Sequence, residues 1–187
     1  MVQARAKQFS KIKLRKLHLG CGTVIKPNYI NLDIKKLKGV DIVHDLNKFP
    51  YPFKDNTFEI IELHHVLEHL DNPLKVIEEL WRISKPNGIL VIAVPHWSHF
   101  TAHSDFTHKH YFSSASFIYF EQNNPRYYSD KSNFKILQKR FTATRINFPW
   151  LNPILNPLLN ISPILTEMFL CKFMPVSQVI FKLRVLK

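Results

Sequence analysis

"LHLGCGTVIKPNYINLD" spans residues 17 to 33, and its reading decides the fold. A short apolar run, Leu17 to Leu19, enters a turn with glycines at Gly20 and Gly22, and Asp33 closes a second apolar segment. A glycine turn after a strand lets backbone approach a ligand, and an acid one strand later is placed to hold a sugar hydroxyl. The turn is no phosphate-binding P-loop, because Thr23, Val24 and Ile25 follow Gly22 where Lys and Ser or Thr are required. Nor is it a dinucleotide fingerprint. Ile25 stands at the third glycine, and Pro27 interrupts the helix that should receive a pyrophosphate. A ligand without phosphates fits the turn better.

Outward from this stretch, strand and helix signals alternate. "KLHL" (16–19), "YINLDI" (29–34), "VDIVHDL" (40–46) and "FEIIELHH" (58–65) read as strands. "NPLKVIEELWRIS" (72–84) has helical spacing at Leu74, Val76, Ile77, Leu80 and Ile83, with Asp71 or Asn72 as cap and Pro73 in the first turn. "KPNG" stops that helix, and "ILVIAVP" (89–95) reads as a strand covered on both faces. Further strands are expected within 134–148 and 177–187. The pattern predicts an α/β fold, an open, mostly parallel sheet with flanking helices and an antiparallel last strand. Ligands of such sheets sit beyond the C-terminal ends of the strands, where Gly20–Gly22, Asp33, Asp45, His64–His65 and Pro95–His96 fall.

A chain of 187 residues with 45% apolar content fits one globular domain, residues 1–187, with a core of its own. Two cysteines, Cys21 and Cys171, make no disulfide framework, and "MVQARAKQFSKIKLRK" has no signal-peptide core; a cytoplasmic protein is expected. The net charge of +12 is uneven: residues 1–16 hold six Lys or Arg and no acid, and residues 1–15 read as a basic N-terminal arm. Such a balance favours an anionic partner, namely nucleic acid, a phospholipid surface or a phosphorylated acceptor, against an ordinary solvated basic surface.

The ordered motifs resemble those of the class I S-adenosylmethionine-dependent methyltransferases, in particular a small group with a short glycine loop, "LxLGCG…NxD" and "HVLEH". The likeness runs from Leu17 to about Phe112. It implies S-adenosylmethionine as cofactor, with Leu19, Gly20, Cys21 and Gly22 under its methionine and ribose part. It likewise implies Asp33 on both ribose hydroxyls, Asp45 near the adenine amino group, Leu46 beside the ring, and His64 and His65 next to the cofactor. The chain departs from the wider family at His18, where an acid is common, and at Val24, where a third glycine is common.

"PHWSHFTAHSDFTHKHYFS" (95–113) holds five of the ten histidines. In the family this segment borders the acceptor, and "DFTHKHYFS" resembles a D-x-T-H…F element found there. His108 is the first candidate base, with Asp105 orienting it, and His96 the second. His99 with His103, and His108 with Asp105, are chelating types, but their spacing matches no zinc pattern and no cysteine assists, so no metal is expected. His69 reads as packing on the start of its helix.

Residues 96–133 and 149–176 read as acceptor-side insertions or a lid. From Ile146 to Thr166 no residue is charged, yet four prolines argue against a spanning helix. The stretch 149–176 is a lid, core, or an interfacial anchor inserting Trp150, Leu151, Ile154, Leu155, Leu158 and Leu159 beside basic headgroup contacts; the prolines disturb the amphipathic period and favour lid or core. The expected acceptor is a small-molecule, glycan or lipid-linked hydroxyl or amine, with the protein cytoplasmic and peripheral at the inner membrane face if the anchor holds. A nucleic-acid (RNA) methyltransferase ranks second, since no N/D-P-P-Y/F motif follows the fourth strand. A non-catalytic cofactor-binding partner subunit is the third reading.

Overall fold

The computed structural model describes residues 15–121, 133–144 and 149–187. The basic arm lies almost wholly outside the described residues, as does part of the 96–133 insertion. Seven strands form one sheet: β1 (Lys16–Leu19), β2 (Ile30–Asp33), β3 (Ile42–Val43), β4 (Phe58–His64), β5 (Ser84–Pro95), β6 (Asn133–Thr142) and β7 (Gln178–Leu186). Their order is β3-β2-β1-β4-β5-β7-β6. The first five run parallel, and β7 is antiparallel to both β5 and β6. The predicted mostly parallel sheet with an antiparallel last strand is therefore present.

Burial follows the sequence pattern. Leu17, Leu19, Leu32, Ile61, Leu63, Leu90, Ile92 and Val94 are fully buried, as strands covered on both faces require. Between β4 and β5, α1 (Pro73–Ile83) buries Val76, Ile77, Leu80 and Ile83. Its cap is Asn72, whose side chain accepts from the Lys75 N–H at 3.1 Å. Three expectations need correction. The third strand shrinks to two residues, "KPNG" lies inside β5 rather than ahead of it, and Leu74 is exposed. Ser84 pairs with Phe58 and Ile89 with Ile60, so "KPNG" is the extra length of a bulge, with Asn87 at φ 61°.

The segment from 149 folds as a short turn at Pro149–Leu151, then α2 (Asn152–Asn160) and α3 (Pro163–Met168). No helix among the described residues is long and apolar enough to cross a membrane. The four-residue repeat of asparagine has a structural purpose. Asn152, Asn156 and Asn160 share one face of α2 and bond the backbone of the sheet's edge strand and the residues after it. The Asn160 side chain accepts from Phe141 N–H at 2.7 Å and donates to Phe141 C=O at 2.9 Å. Asn156 accepts from Ala143 N–H at 2.8 Å, and Asn152 both accepts from and donates to Thr144. The polar face of α2 thus points inward. Its apolar residues divide: Leu159 is buried and Leu155 packs against the core, whereas Ile154 and Leu158 are exposed, as is Trp150 in the preceding turn.

Candidate cofactor and acceptor site

The glycine turn leaves β1 at Gly20 (φ +62°), where a side chain could not fit: a Cβ would stand 2.3 Å from Val66 Cγ2. The turn is thereby pressed against the residue that follows the end of β4. Gly22 (φ +51°) differs, because nothing lies within 4 Å of where its Cβ would project. Cys21 N–H donates to Leu32 C=O at 3.1 Å, tying the turn to β2. Gly22 N–H donates to Asp33 Oδ2 at 2.8 Å, and Lys35 N–H donates to Oδ1 at 2.9 Å. Two backbone amides therefore hold the Asp33 carboxylate at the rim of the open space beside Gly22. Each carboxylate oxygen keeps lone-pair capacity for a hydroxyl donor. The residues fit a ribose-bearing ligand. Asn31, the "N" of "NLD", closes the loop by accepting from Lys26 N–H and donating to Lys26 C=O, both at 3.0 Å. Asp45 accepts from Asn47 N–H at 3.0 Å, and the buried Leu46 follows it just beyond β3.

A polar cluster that sequence reading missed lies on one face of β1 and β4. Glu62 bonds Lys26, Tyr29 and His64, the last at 3.0 Å. His64, with Lys26 and Tyr29, holds the Glu62 carboxyl well below the usual carboxylate range. Burial, reinforced by Glu62, pushes the Tyr29 phenol up to about 12. His18 is opposite Glu62 in the register and is 2% exposed. Burial and then Lys26 push its imidazole down, and its Nδ1 has no partner among the described residues. The signal was available, since Glu62 is a charged residue set between Ile60, Ile61 and Leu63 in a central parallel strand.

The histidines separate by burial and partner. His64 belongs to that cluster. His65 stands at φ 55°, its N–H donating to Ala93 C=O at 2.8 Å and its Nε2 lying 2.9 Å from Gln178 Oε1. His96 is fully buried, with Nε2 2.8 Å from Glu167 Oε1 and Nδ1 2.8 Å from Ser98 Oγ. Burial works to raise the Glu167 carboxyl, but the bonds from His96 and Ser114 outweigh it and leave the group below its ordinary value. No ring nitrogen of His96 is left for an acceptor; it braces the segment carrying Glu167. His108 directs Nδ1 at Ala102 C=O, 3.0 Å away. Asp105 Oδ2 is 3.9 Å from His108 Nε2, outside hydrogen-bond range, and its partner is instead Thr107, through N–H at 2.8 Å and hydroxyl at 2.6 Å. Thr107 Oγ1 in turn lies 2.8 Å from His69 Nδ1. The rings of His69 and His108 are 4.7 Å apart, edge to face. Asp105 thus orients His69 through Thr107 rather than His108 directly.

Residues 17–92 match the family model described as a methyltransferase domain. An uncharacterized protein of Methanocaldococcus jannaschii is 32% identical over 96 residues, covering 44% of this chain and 45% of its own. An uncharacterized methyltransferase of Schizosaccharomyces pombe is 48% identical over 40 residues, 21% of this chain and 14% of its own. The chain therefore spans less than half the length of these curated relatives. Among solved structures, the YcgJ protein of Bacillus subtilis has TM-score 0.59 at 14% identity over 100% of this chain and 97% of its own. An S-adenosylmethionine-dependent methyltransferase of Mesorhizobium loti has TM-score 0.56 at 12% identity over 98% of both chains. One from Archaeoglobus fulgidus has TM-score 0.57 at 15% identity, over 98% of this chain and 92% of its own. At those identities the likeness speaks for the fold. The domain match covers the strands that carry the glycine turn and Asp33, so over these residues in sequence, and in its fold, the chain is similar to S-adenosylmethionine-dependent methyltransferases.

Proposed function

We propose that the chain transfers a methyl group from S-adenosylmethionine to a hydroxyl or amine of a small-molecule, glycan or lipid-linked acceptor. The observation that carries this reading is the pairing of an open glycine turn with an Asp33 carboxylate held at its rim. In it Leu19, Gly20, Cys21 and Gly22 lie under the methionine and ribose, Asp33 takes the ribose hydroxyls, and Asp45 and Leu46 face the adenine. His64 and His65 border the methyl end. The cofactor supplies a methyl already activated on a sulfonium, so the protein's work is to orient donor and acceptor. His108 serves the acceptor proton, because its Nδ1–H is committed to a carbonyl and Nε2 carries the lone pair. Asp105 and Thr107 position the neighbouring His69.

Calorimetry tests the core of this. Asp33→Ala should weaken S-adenosylmethionine roughly tenfold or more, as expected when a charge-assisted bond of ~1.5–3 kcal/mol is lost. Unchanged affinity would remove Asp33 from the site. Cofactor binding without transfer of a labelled methyl to any cell fraction would favour a non-catalytic partner subunit.

The acceptor class rests on a second observation, the outer face of residues 149–176. Trp150 in the turn before α2, and Ile154 and Leu158 on α2, are exposed at four-residue spacing, followed by Ile161, Leu165, Phe169 and Phe173, all at least half exposed. The one acid of the stretch, Glu167, is turned inward to His96 and Ser114. A groove of about 310 Å³ on the same helix is lined by Lys139 and Arg140 beside Asn156 and Asn160. An apolar, acid-free outer face on a chain of +12, on a helix whose other side borders Lys139 and Arg140, suits an anionic bilayer at the cytoplasmic membrane face. Flotation with anionic vesicles should recover the protein, neutral vesicles should not, and Ile154→Ser with Leu158→Ser should release it. Retention on RNA with no vesicle binding would favour the nucleic-acid reading.

A further inference from the structure

Glu68, His69 and His108 each bring one possible ligand atom to within 4.8 Å of the other two. Their surroundings make this more than proximity. Glu68 is 1% exposed, and neither carboxylate oxygen has a hydrogen-bond partner among the described residues. A buried carboxylate in that state is costly unless a cation meets it.

For neutral imidazoles, the hydrogen-bond partners assign the lone pairs to particular ring atoms. His108 Nδ1 faces only an acceptor, the Ala102 carbonyl, so Nδ1 bears the proton and Nε2 the lone pair. Thr107 donates its hydroxyl to Asp105, so Thr107 Oγ1 accepts from His69 Nδ1–H, and His69 Nε2 also carries a lone pair. His65 follows the same logic. Gln178 Nε2 donates to Thr142 Oγ1, which leaves Gln178 Oε1 to accept from His65 Nε2–H. His65 Nδ1 then turns a lone pair toward Glu68 Oε1, 3.3 Å away. His65 Nδ1 is thus the ring nitrogen that meets Glu68, and no other described side chain offers Glu68 a donor.

We propose that Glu68, His69 and His108 bind one divalent transition-metal ion of the zinc class, with His65 at its edge. Two imidazoles, one carboxylate and an open position are the donor set of a zinc ion that keeps an exchangeable ligand. The carbonyl behind His108 and the Asp105–Thr107 chain behind His69 are the outer partners that fix a metal-binding imidazole. "HHVLEH" supplies three of the groups from the end of β4 and the turn Leu67–His69, and "DFTHKH" supplies His108 with its supports. An acceptor hydroxyl entering the open position would lose its proton more readily, the proton passing to solvent because the ion takes up the His108 Nε2 lone pair. His108 would then act through the ion it holds. Binding of the ion does not depend on the methyl-transfer reading, and the test reads metal alone.

The full-length chain, stripped with chelator, is titrated with Zn²⁺ by calorimetry and with Co²⁺ by visible absorption. One equivalent should bind, Co²⁺ should show the intense bands of a four- or five-coordinate site, and Zn²⁺ should raise the melting temperature. His69→Ala and Glu68→Gln should each weaken binding by roughly tenfold or more, since loss of outer partners alone costs 10–100-fold. His44→Ala, outside the cluster, should leave binding unchanged. If Glu68→Gln does not fold, His69→Ala carries the test, its ring being only part-buried. Absence of saturable binding, or binding indifferent to these two variants, overturns the proposal. So does an NMR titration showing His65 as an imidazolium paired with Glu68 in protein that takes up no metal.

Discussion

The two ends of the sheet handle their polar groups in opposite ways. Between β1 and β5, apolar side chains fill most of both faces, and apart from the cluster around His18 and Glu62 the polar residues collect at the strand ends, where Gly22, Asp33 and His65 stand. At the β6 edge, α2 turns asparagines inward to the strand's backbone and presents Ile154 and Leu158 outward. The first arrangement is a core with a site at its rim. The second is a helix that turns its asparagines inward together with Leu159 and Leu155 and leaves Ile154 and Leu158 exposed. Hydrophobicity alone therefore says nothing about which side of a helix faces the protein; the bonding needs of the neighbour decide it.

The sharpest way to break this contrast is a matched pair of substitutions. Leu63→Ala in β4 should cost ~2–5 kcal/mol, a cavity in a fully buried strand, whereas Ile154→Ser should stay within about 0.5 kcal/mol. Denaturant melts decide it, and a large loss from Ile154→Ser would make the outer face core. Next come the two glycines. Gly20→Ala should cost roughly 2–4 kcal/mol, since left-handed backbone and overpacking against Val66 add. Gly22→Ala should lose only the backbone part, ~1 kcal/mol, while weakening S-adenosylmethionine in calorimetry. Asn160→Ala should then cost ~1–3 kcal/mol by leaving Phe141 N–H and C=O unpaired, which a melt of the single variant reads.

The smallest expected effect is a pH dependence. The Glu62 carboxyl sits below its unfolded value, so its stabilisation is complete above the ordinary carboxylate range and is lost as pH falls toward the folded value. Glu62→Gln should therefore flatten the acid side of the stability profile below about pH 5 and leave the slope near neutrality unchanged. An unaltered acid limb would detach Lys26, Tyr29 and His64 from Glu62 as a working cluster.

Much of the first region was legible in the sequence because its signals are local. Strand period, glycine turn and the acids at strand ends all appear within a few residues of one another, and Leu17, Gly20, Asp33 and α1 fall where the pattern puts them. The site's second half was not legible, because its contacts are long in sequence. His69 meets Thr107, Glu68 faces His108, and His96 finds Glu167 across 71 positions. Spacing arguments applied to His99, His103 and Asp105 could not reveal that the relevant neighbours of His108 come from "HVLEH". The asparagine repeat was visible as a period, but its purpose needed the β6 edge beside it.

That edge has a further consequence. An unpaired outer strand ordinarily invites another chain to add on by backbone hydrogen bonding, in a register set by the strand itself. At the end of β6 the amide side chains of α2 already occupy Phe141, Ala143 and Thr144. β-augmentation is closed at this corner. Whatever meets this end of the molecule must meet the outer side chains of α2, which impose no register and no strand direction. A surface that is fluid, rather than one cut to a template, is enough for them.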